Sequence, residues 1–261
     1  MLKTPENRAA SLLAALVALA IPVSGHAAAG APARAEVLVS AALSLKDVLG
    51  AIAPDFEGKN PDIKLTFNFG ASGQLRMQIE GGAPADVFVS AAASDMDALE
   101  QKGLLVPDTR GDVARNTLVL VRNRADHPRI SRSEDLAEKG VSRIAIGNPA
   151  TVPAGRYAKE ALEKRGLYEK LQGRLILAEN VRQVLDYVAR GEVDAGFVYK
   201  TDARVEPKAE VVETIPSGQH APILYPAAAL KTGANEAGAR KLVDYLRSRA
   251  GRKAFKKNGF E

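Results

Sequence analysis

Four short segments carry the residues whose types and spacing could do chemistry, and each sits where a β-like run gives way to a helical pattern. They are Ala41-Ala42-Leu43-Ser44, Gly70-Ala71-Ser72-Gly73, Val152-Pro153-Ala154-Gly155 and Glu179-Asn180-Val181. Ser44 with Asp47 three residues on has capping-box spacing, and Ser72 and Asn180 stand at capping positions. Pro153 suits a first helical turn, where its missing N–H costs nothing. Ser and Asn cap helices everywhere, so any one of these turns alone is explained as an ordinary cap. Together they permit more. A helix N-terminus carries about half a unit of positive charge and several unpaired N–H donors, so ends that converge on one spot hold an anion without Lys or Arg. Serine hydroxyls, and Tyr199 at the end of its own β-like run, add neutral donors. Nothing in the turns is placed to accept a proton from the ligand, which favours an anion fully deprotonated at neutral pH.

Such turns need strands and helices to aim them. Glu36 to Ser40 reads as a strand, Leu45 to Phe56 as a helix, Ile63 to Phe69 as an alternating strand and Gln74 to Glu80 as a second helix ended by Gly81-Gly82. Val87 to Val89 and Ser94 to Lys102, the latter capped by Ser94, complete a βαβαβα series. After the β run Thr117 to Val121 the pattern restarts, with strands at Arg143 to Ile146, Leu175 to Leu177 and Ala195 to Tyr199. Helices are expected at Pro153 to Arg165 and Val181 to Arg190 between them, then strands at Val211 to Ile215 and Tyr225 to Leu230, and a closing helix at Glu236 to Arg249. This is an α/β chain with mostly parallel sheets flanked by helices, and ligands in such sheets bind outside the carboxyl ends of the strands. No flexible linker separates the halves, which favours lobes joined by crossing strands over domains on a tether.

The chain-wide features narrow the class. Lys3 and Arg8 precede the apolar stretch Leu12 to Val23 and a small-residue segment, the order of a secretory signal peptide over 1–29 with cleavage within 27–35. The apolar stretch is shorter than the roughly 20 residues of a spanning helix. There is no cysteine, which excludes a disulfide framework, a thiol nucleophile and a Cys-ligated metal. The net charge of +5 is spread among acids, unlike a nucleic-acid binder, and the densest basic cluster, Arg247 to Lys257, reads as a solvated helix face. A secreted hydrolase would need a nucleophile and a base. Beyond the signal segment only His127 and His220 are available, Asp95 and Asp97 read as helix-surface residues, and Asp194 as a turn residue. An enzyme is therefore not expected, nor is a cofactor.

Six segments in order, Val37 to Leu45 (VLVSAALSL), Gly70 to Phe88 (GASGQLRMQIEGGAPADVF), Gly147 to Leu162 (GNPATVPAGRYAKEAL), Glu179 to Val184 (ENVRQV), Gly196 to Asp202 (GFVYKTD) and Phe255 to Phe260 (FKKNGF), resemble the periplasmic molybdate-binding proteins of ABC transporters, the ModA family. The resemblance implies a two-lobed periplasmic-binding-protein fold of type II with the ligand in the cleft between lobes. It implies lobe 1 at 36–115 plus 224–261 and lobe 2 at 116–223. Matched motif by motif, the oxyanion falls to the hydroxyls of Ser44, Ser72 and Tyr199 and to backbone amides at Ala154 and Val181. Molybdenum would be bound only as the molybdate anion, tungstate would be accepted as its near-isostere, and sulfate is the alternative cargo. The implied partners are a membrane permease and a separate ATPase subunit, since the chain has no Gly-x-x-x-x-Gly-Lys-Ser/Thr loop of its own. A periplasmic monomer is expected.

Overall fold

In a computed structural model, residues 34–125 and 130–261 are described. The signal segment and His127 lie outside them. The chain runs β1 (Ala35–Ala42), α1 (Lys46–Lys59), β2 (Ile63–Gly70), α2 (Ser72–Glu80), β3 (Val87–Val89), α3 (Ala93–Gln101), β4 (Gly111–Arg115) and β5 (Leu118–Asn123). It continues through β6 (Ile144–Gly147), α4 (Pro153–Lys164), α5 (Tyr168–Leu171), β7 (Leu175–Ala178), α6 (Val181–Ala189), β8 (Ala195–Tyr199) and α7 (Lys200–Ala203). It ends with β9 (Ala209–Thr214), β10 (Leu224–Ala229), α8 (Glu236–Arg247) and α9 (Arg249–Lys257).

The strands form two five-stranded sheets, ordered β2-β1-β3-β10-β4 and β7-β6-β8-β5-β9. In each, three parallel strands are completed by antiparallel ones: β1 runs with β2 and β3, and β6 with β7 and β8, while β10 and β5 run against their neighbours. The order reverses at β1 and again at β6, so each sheet opens a crevice at the carboxyl end of that strand, where α1 and α4 begin. The fully buried runs of β5, Leu118 to Val121, and of β6, Ile144 to Ile146, are what a strand covered on both faces requires.

The chain crosses between the sheets twice, after β4 and before β10, and the two crossings are bonded together: Asn116 N–H donates to Ile223 O at 3.2 Å. Residue 261 is stitched to the same place, exchanging backbone hydrogen bonds of 2.8 and 3.0 Å with Arg115. β10 accommodates Pro226 through a register shift at Tyr225/Pro226 in its ladder with β4, the kind of irregularity that a proline without an N–H demands.

Four local expectations differ from the structure. Strand β4 was not anticipated, because Gly111 to Arg115 lacks alternation and becomes a strand only by pairing with β10. The closing helix is two helices, broken at Ser248, whose hydroxyl caps the second by accepting from Gly251 N. Ser94 does not cap α3; the N-cap is Ala92, whose N–H is taken by the Ser90 hydroxyl at 3.1 Å. Asp95 is not a surface residue but only 3% exposed. No helix among the described residues is long and apolar enough to cross a membrane.

Candidate functional site

The four turns singled out in the sequence meet in one small cavity. Ala42, Leu43 and Ser44 come from the end of β1, Gly70, Ala71 and Ser72 from the start of α2, Val152, Pro153 and Ala154 from the start of α4, Asn180 and Val181 from the start of α6, and Tyr199 from the end of β8. Ala91, after β3, completes the lining, and no carboxylate, imidazole or cationic side chain is part of it. The cavity is small, with about 10 Å³ of room, on the order of what one water needs.

The capping role that their spacing suggests is not the one these serines take. Neither Ser44 nor Ser72 caps a helix: Ser44 lies inside a short 3₁₀ turn, Leu43–Leu45, and Ser72 is the first residue of α2 behind an Ala71 N-cap. Their hydroxyls serve other partners. Ser72 Oγ accepts from Ala91 N–H at 3.0 Å, and Ser44 Oγ pairs with Tyr225 Oη at 3.1 Å. Asn180 alone of the three behaves as expected, accepting from Gln183 N–H at 2.9 Å. Asp47, proposed as the partner of Ser44, instead meets Arg182 across the cleft at 2.6 Å.

The remaining donors are unspent. Ser44, Ser72, Ala154 and Val181 all sit in first turns, where the N–H has no intrahelical acceptor, and none of these four donates elsewhere among the described residues. Tyr199 Oη is buried without any hydrogen-bond partner among the described residues. Burial pushes this phenol well above its ordinary range, so it keeps its hydrogen. An unpaired buried hydroxyl costs about 1–3 kcal/mol, a cost that an oxyanion in the cavity removes.

Close packing places these donors. A Cβ on Gly155 would sit 1.8 Å from Gly147 O, and one on Gly147 would sit 2.4 Å from Val152 Cγ1. The two glycines therefore let the first turn of α4 press on the end of β6, which puts Ala154 N–H at the cavity. The cleft itself is drawn shut by contacts between lobes. Gly73 N–H donates to Thr151 O at 2.9 Å. Asp95 on the first lobe holds Arg76 and reaches Arg156 of α4 on the second. Arg182 of α6 reaches Asp47 of α1 at 2.6 Å while also binding Asp202 at 2.5 Å.

Asp202 is fully buried, and desolvation raises its carboxyl to about 6 despite the neighbouring Arg182. Its folded value thus lies above the ordinary 3.8, so the folded state binds the proton more tightly than the unfolded chain. Asp202 therefore makes stability fall as pH rises from about 4 to about 6, and flatten above. Wild type and Asp202→Asn, melted from pH 4 to 7, should show this as a slope present in the first and absent in the second. Identical profiles would contradict it.

The comparisons agree with this geometry. Residues 37–261 match the family model of bacterial extracellular solute-binding proteins. The molybdate-binding protein ModA of Haemophilus influenzae is 38% identical over 231 residues, 87% of this chain and 91% of that protein. This chain belongs to the ModA family of bacterial extracellular solute-binding proteins. The ModA of Escherichia coli is 36% identical over 93% of this chain and 94% of its own length. The periplasmic molybdate-binding protein of Azotobacter vinelandii superposes with a TM-score of 0.76 at 27% identity, covering 86% of this chain and 98% of its own. The two sheets are thus the two lobes of the periplasmic-binding-protein fold.

Among the described residues no group of three or more His, Cys, Asp or Glu could hold a metal ion. His220 is buried, with Nδ1 2.7 Å from Ala221 O, and lies outside the cavity. The basic residues of α9, Arg249, Arg252, Lys253, Lys256 and Lys257, are exposed and also lie outside it. Sequence reasoning missed Ala91, Asn116 and Tyr225. The first belongs to a tight turn after β3, and the others are brought in by the sheet crossings.

Proposed function

We propose that this protein captures molybdate, and tungstate as its near-isostere, in the periplasm and delivers it to the membrane permease of an ABC importer driven by a separate ATPase subunit. The observation that carries this reading is the donor set: first-turn amides and three hydroxyls from both lobes, around a compact cavity with no charged side chain. Ser44, Ser72, Tyr199 and the amides of Ala154 and Val181 hold the anion. Molybdenum is then bound through the oxygens of its anion, with no direct protein ligand. The protein works without a cofactor, as a monomer, after removal of its signal peptide, and catalyses no reaction.

Because Ser44 and Ser72 lie on one lobe and Ala154, Val181 and Tyr199 on the other, the anion bridges them. Its binding energy is then available to favour the closed arrangement. Closure is what the permease would read.

The test is a titration with molybdate, tungstate, sulfate and hydrogen phosphate followed by thermal melting. A ligand at a hundred times its dissociation constant adds about 2.7 kcal/mol, or roughly 5–10 °C for a chain of this size. No shift with molybdate, or a larger one with sulfate, would overturn the assignment. Ser44→Ala and Ser72→Ala should each weaken molybdate binding about tenfold, the order of one hydrogen bond to a charged partner. Calorimetry in which both bind as wild type does would move the site elsewhere.

A further inference from the structure

Ser44 is connected to a buried chain of hydroxyl and amide groups that runs to the crossing between the lobes. Asn116 Nδ2 donates to Tyr225 Oη at 3.2 Å and to Thr201 Oγ1 at 2.8 Å. The amide cannot be turned the other way, because its Oδ1 accepts the N–H of Thr117 at 2.9 Å. Tyr225 is wholly buried and burial raises its phenol, so it keeps its hydrogen. Its oxygen is occupied by the Asn116 donor, and Ser44 Oγ is its one remaining partner among the described residues. If Tyr225 also accepted from Ser44, its own hydrogen would be buried without a partner. The hydrogen therefore goes to Ser44, and the Ser44 hydrogen is left to point into the cavity.

We propose that Asn116, through Tyr225, is a positioning residue that fixes Ser44 as a hydrogen-bond donor and so makes the cavity reject anions that carry a proton. The proposal rests on the reading that the cavity holds a tetrahedral oxyanion. Ser72, which accepts from Ala91, and Tyr199, which has no partner, are likewise left with a hydrogen to give. With first-turn amides as the other donors, the hydrogens of the site are aimed at the ligand, and no carboxylate or imidazole in the lining is there to accept from a ligand hydroxyl. Molybdate and hydrogen phosphate carry the same charge of about two units at pH 8, so this polarity, rather than charge, separates them. Asn116 sits on the strand crossing itself, bonded to Thr201 of the second lobe and Tyr225 of the first. The serine's polarity is thus set at the junction on which both lobes turn.

The experiment compares wild type, Asn116→Asp, Asn116→Ala and the double variant Asn116→Asp/Tyr225→Phe at pH 8, by calorimetry with molybdate, sulfate and hydrogen phosphate. Wild-type binding of molybdate tests the reading of the site by itself. An aspartate takes the Tyr225 hydrogen, which obliges Tyr225 to accept from Ser44 and turns the serine lone pair toward the ligand. Asn116→Asp should then bind molybdate about thirtyfold more weakly, while its preference for molybdate over hydrogen phosphate narrows about tenfold. Removing the Tyr225 hydroxyl from that variant cuts the chain but leaves the added charge, and should restore molybdate affinity about fivefold. Asn116→Ala, which adds no charge, should move in the same direction by about fivefold. Unliganded melting and circular dichroism establish that each variant is folded. With the wild type binding normally, the proposal is overturned if both single variants bind as it does. It is equally overturned if Asn116→Asp loses affinity for all three anions alike with no recovery in the double variant.

Discussion

Replacing Gly73 with alanine should weaken molybdate binding at least a hundredfold while leaving the unliganded protein as stable as before, or slightly more so. A Cβ at this position would lie 2.6 Å from Thr151 O and 2.9 Å from Thr151 Cα. Both atoms are backbone, so no side chain can swing aside. Gly73 is in the first turn of α2 and Thr151 precedes α4, so the collision is between lobes and occurs only when they close. Relieving it moves one wall of the cavity and breaks the Gly73 to Thr151 hydrogen bond. A shift of that kind costs about 1–3 kcal/mol in overpacking, and further affinity through misplaced donors. Within one lobe the change has the opposite sign, since alanine is favoured over glycine in a helix by about 1 kcal/mol. Calorimetry should record the lost affinity and a melt without ligand the retained stability. An unliganded melting point that falls in step with affinity would show that the contact serves folding instead of closure.

The second large effect is expected at Arg182. Arg182→Met should destabilise the protein by about 3–5 kcal/mol, as when one partner of a buried pair is removed, and lower its melting temperature by roughly 10 °C. Arg182 carries two carboxylates, and Asp202 is the one that cannot reach water: it is fully buried and its Oδ2 has no hydrogen-bond partner among the described residues. Without the guanidinium, Asp202 must protonate or remain an uncompensated charge. Adding Asp202→Asn to Arg182→Met should therefore recover most of the loss. A single variant that melts within a degree of wild type would refute this account of the pair.

What could be read from the sequence was what neighbouring residues decide. The four turns, most of the strands and helices, the cap at Asn180 and the position of Tyr199 follow from local pattern, and the four turns and Tyr199 all line the cavity. Ser44 shows where that kind of reading stops. Its spacing from Asp47 is that of a capping box, yet the hydroxyl turns to Tyr225, 181 residues away in sequence, and the carboxylate turns to Arg182. Asp95 fails in the same way, since a helix face looks solvated until Arg156 is brought over it by the opposite lobe. Strand β4 is a strand because β10 lies beside it. Gly73 and Asn116 have no local signature, as their importance lies in a contact and a junction that exist only once both sheets are assembled.

The absence of any charged side chain from the cavity lining reaches beyond recognition. A site that used lysine or arginine would set a positive charge directly against its guest, and the two would balance locally. Here the guest is held by dipoles, which have no net charge to cancel. As with any bound anion, the filled protein is more negative than the empty one by the whole valence of the anion, and here no charge in the lining offsets it locally, since the arginines flanking the cleft are already matched to carboxylates. Occupancy is written into the long-range field of the molecule as well as into its shape. The two forms should separate by electrophoretic mobility, and a charged surface approaching the cleft would sense cargo before making contact.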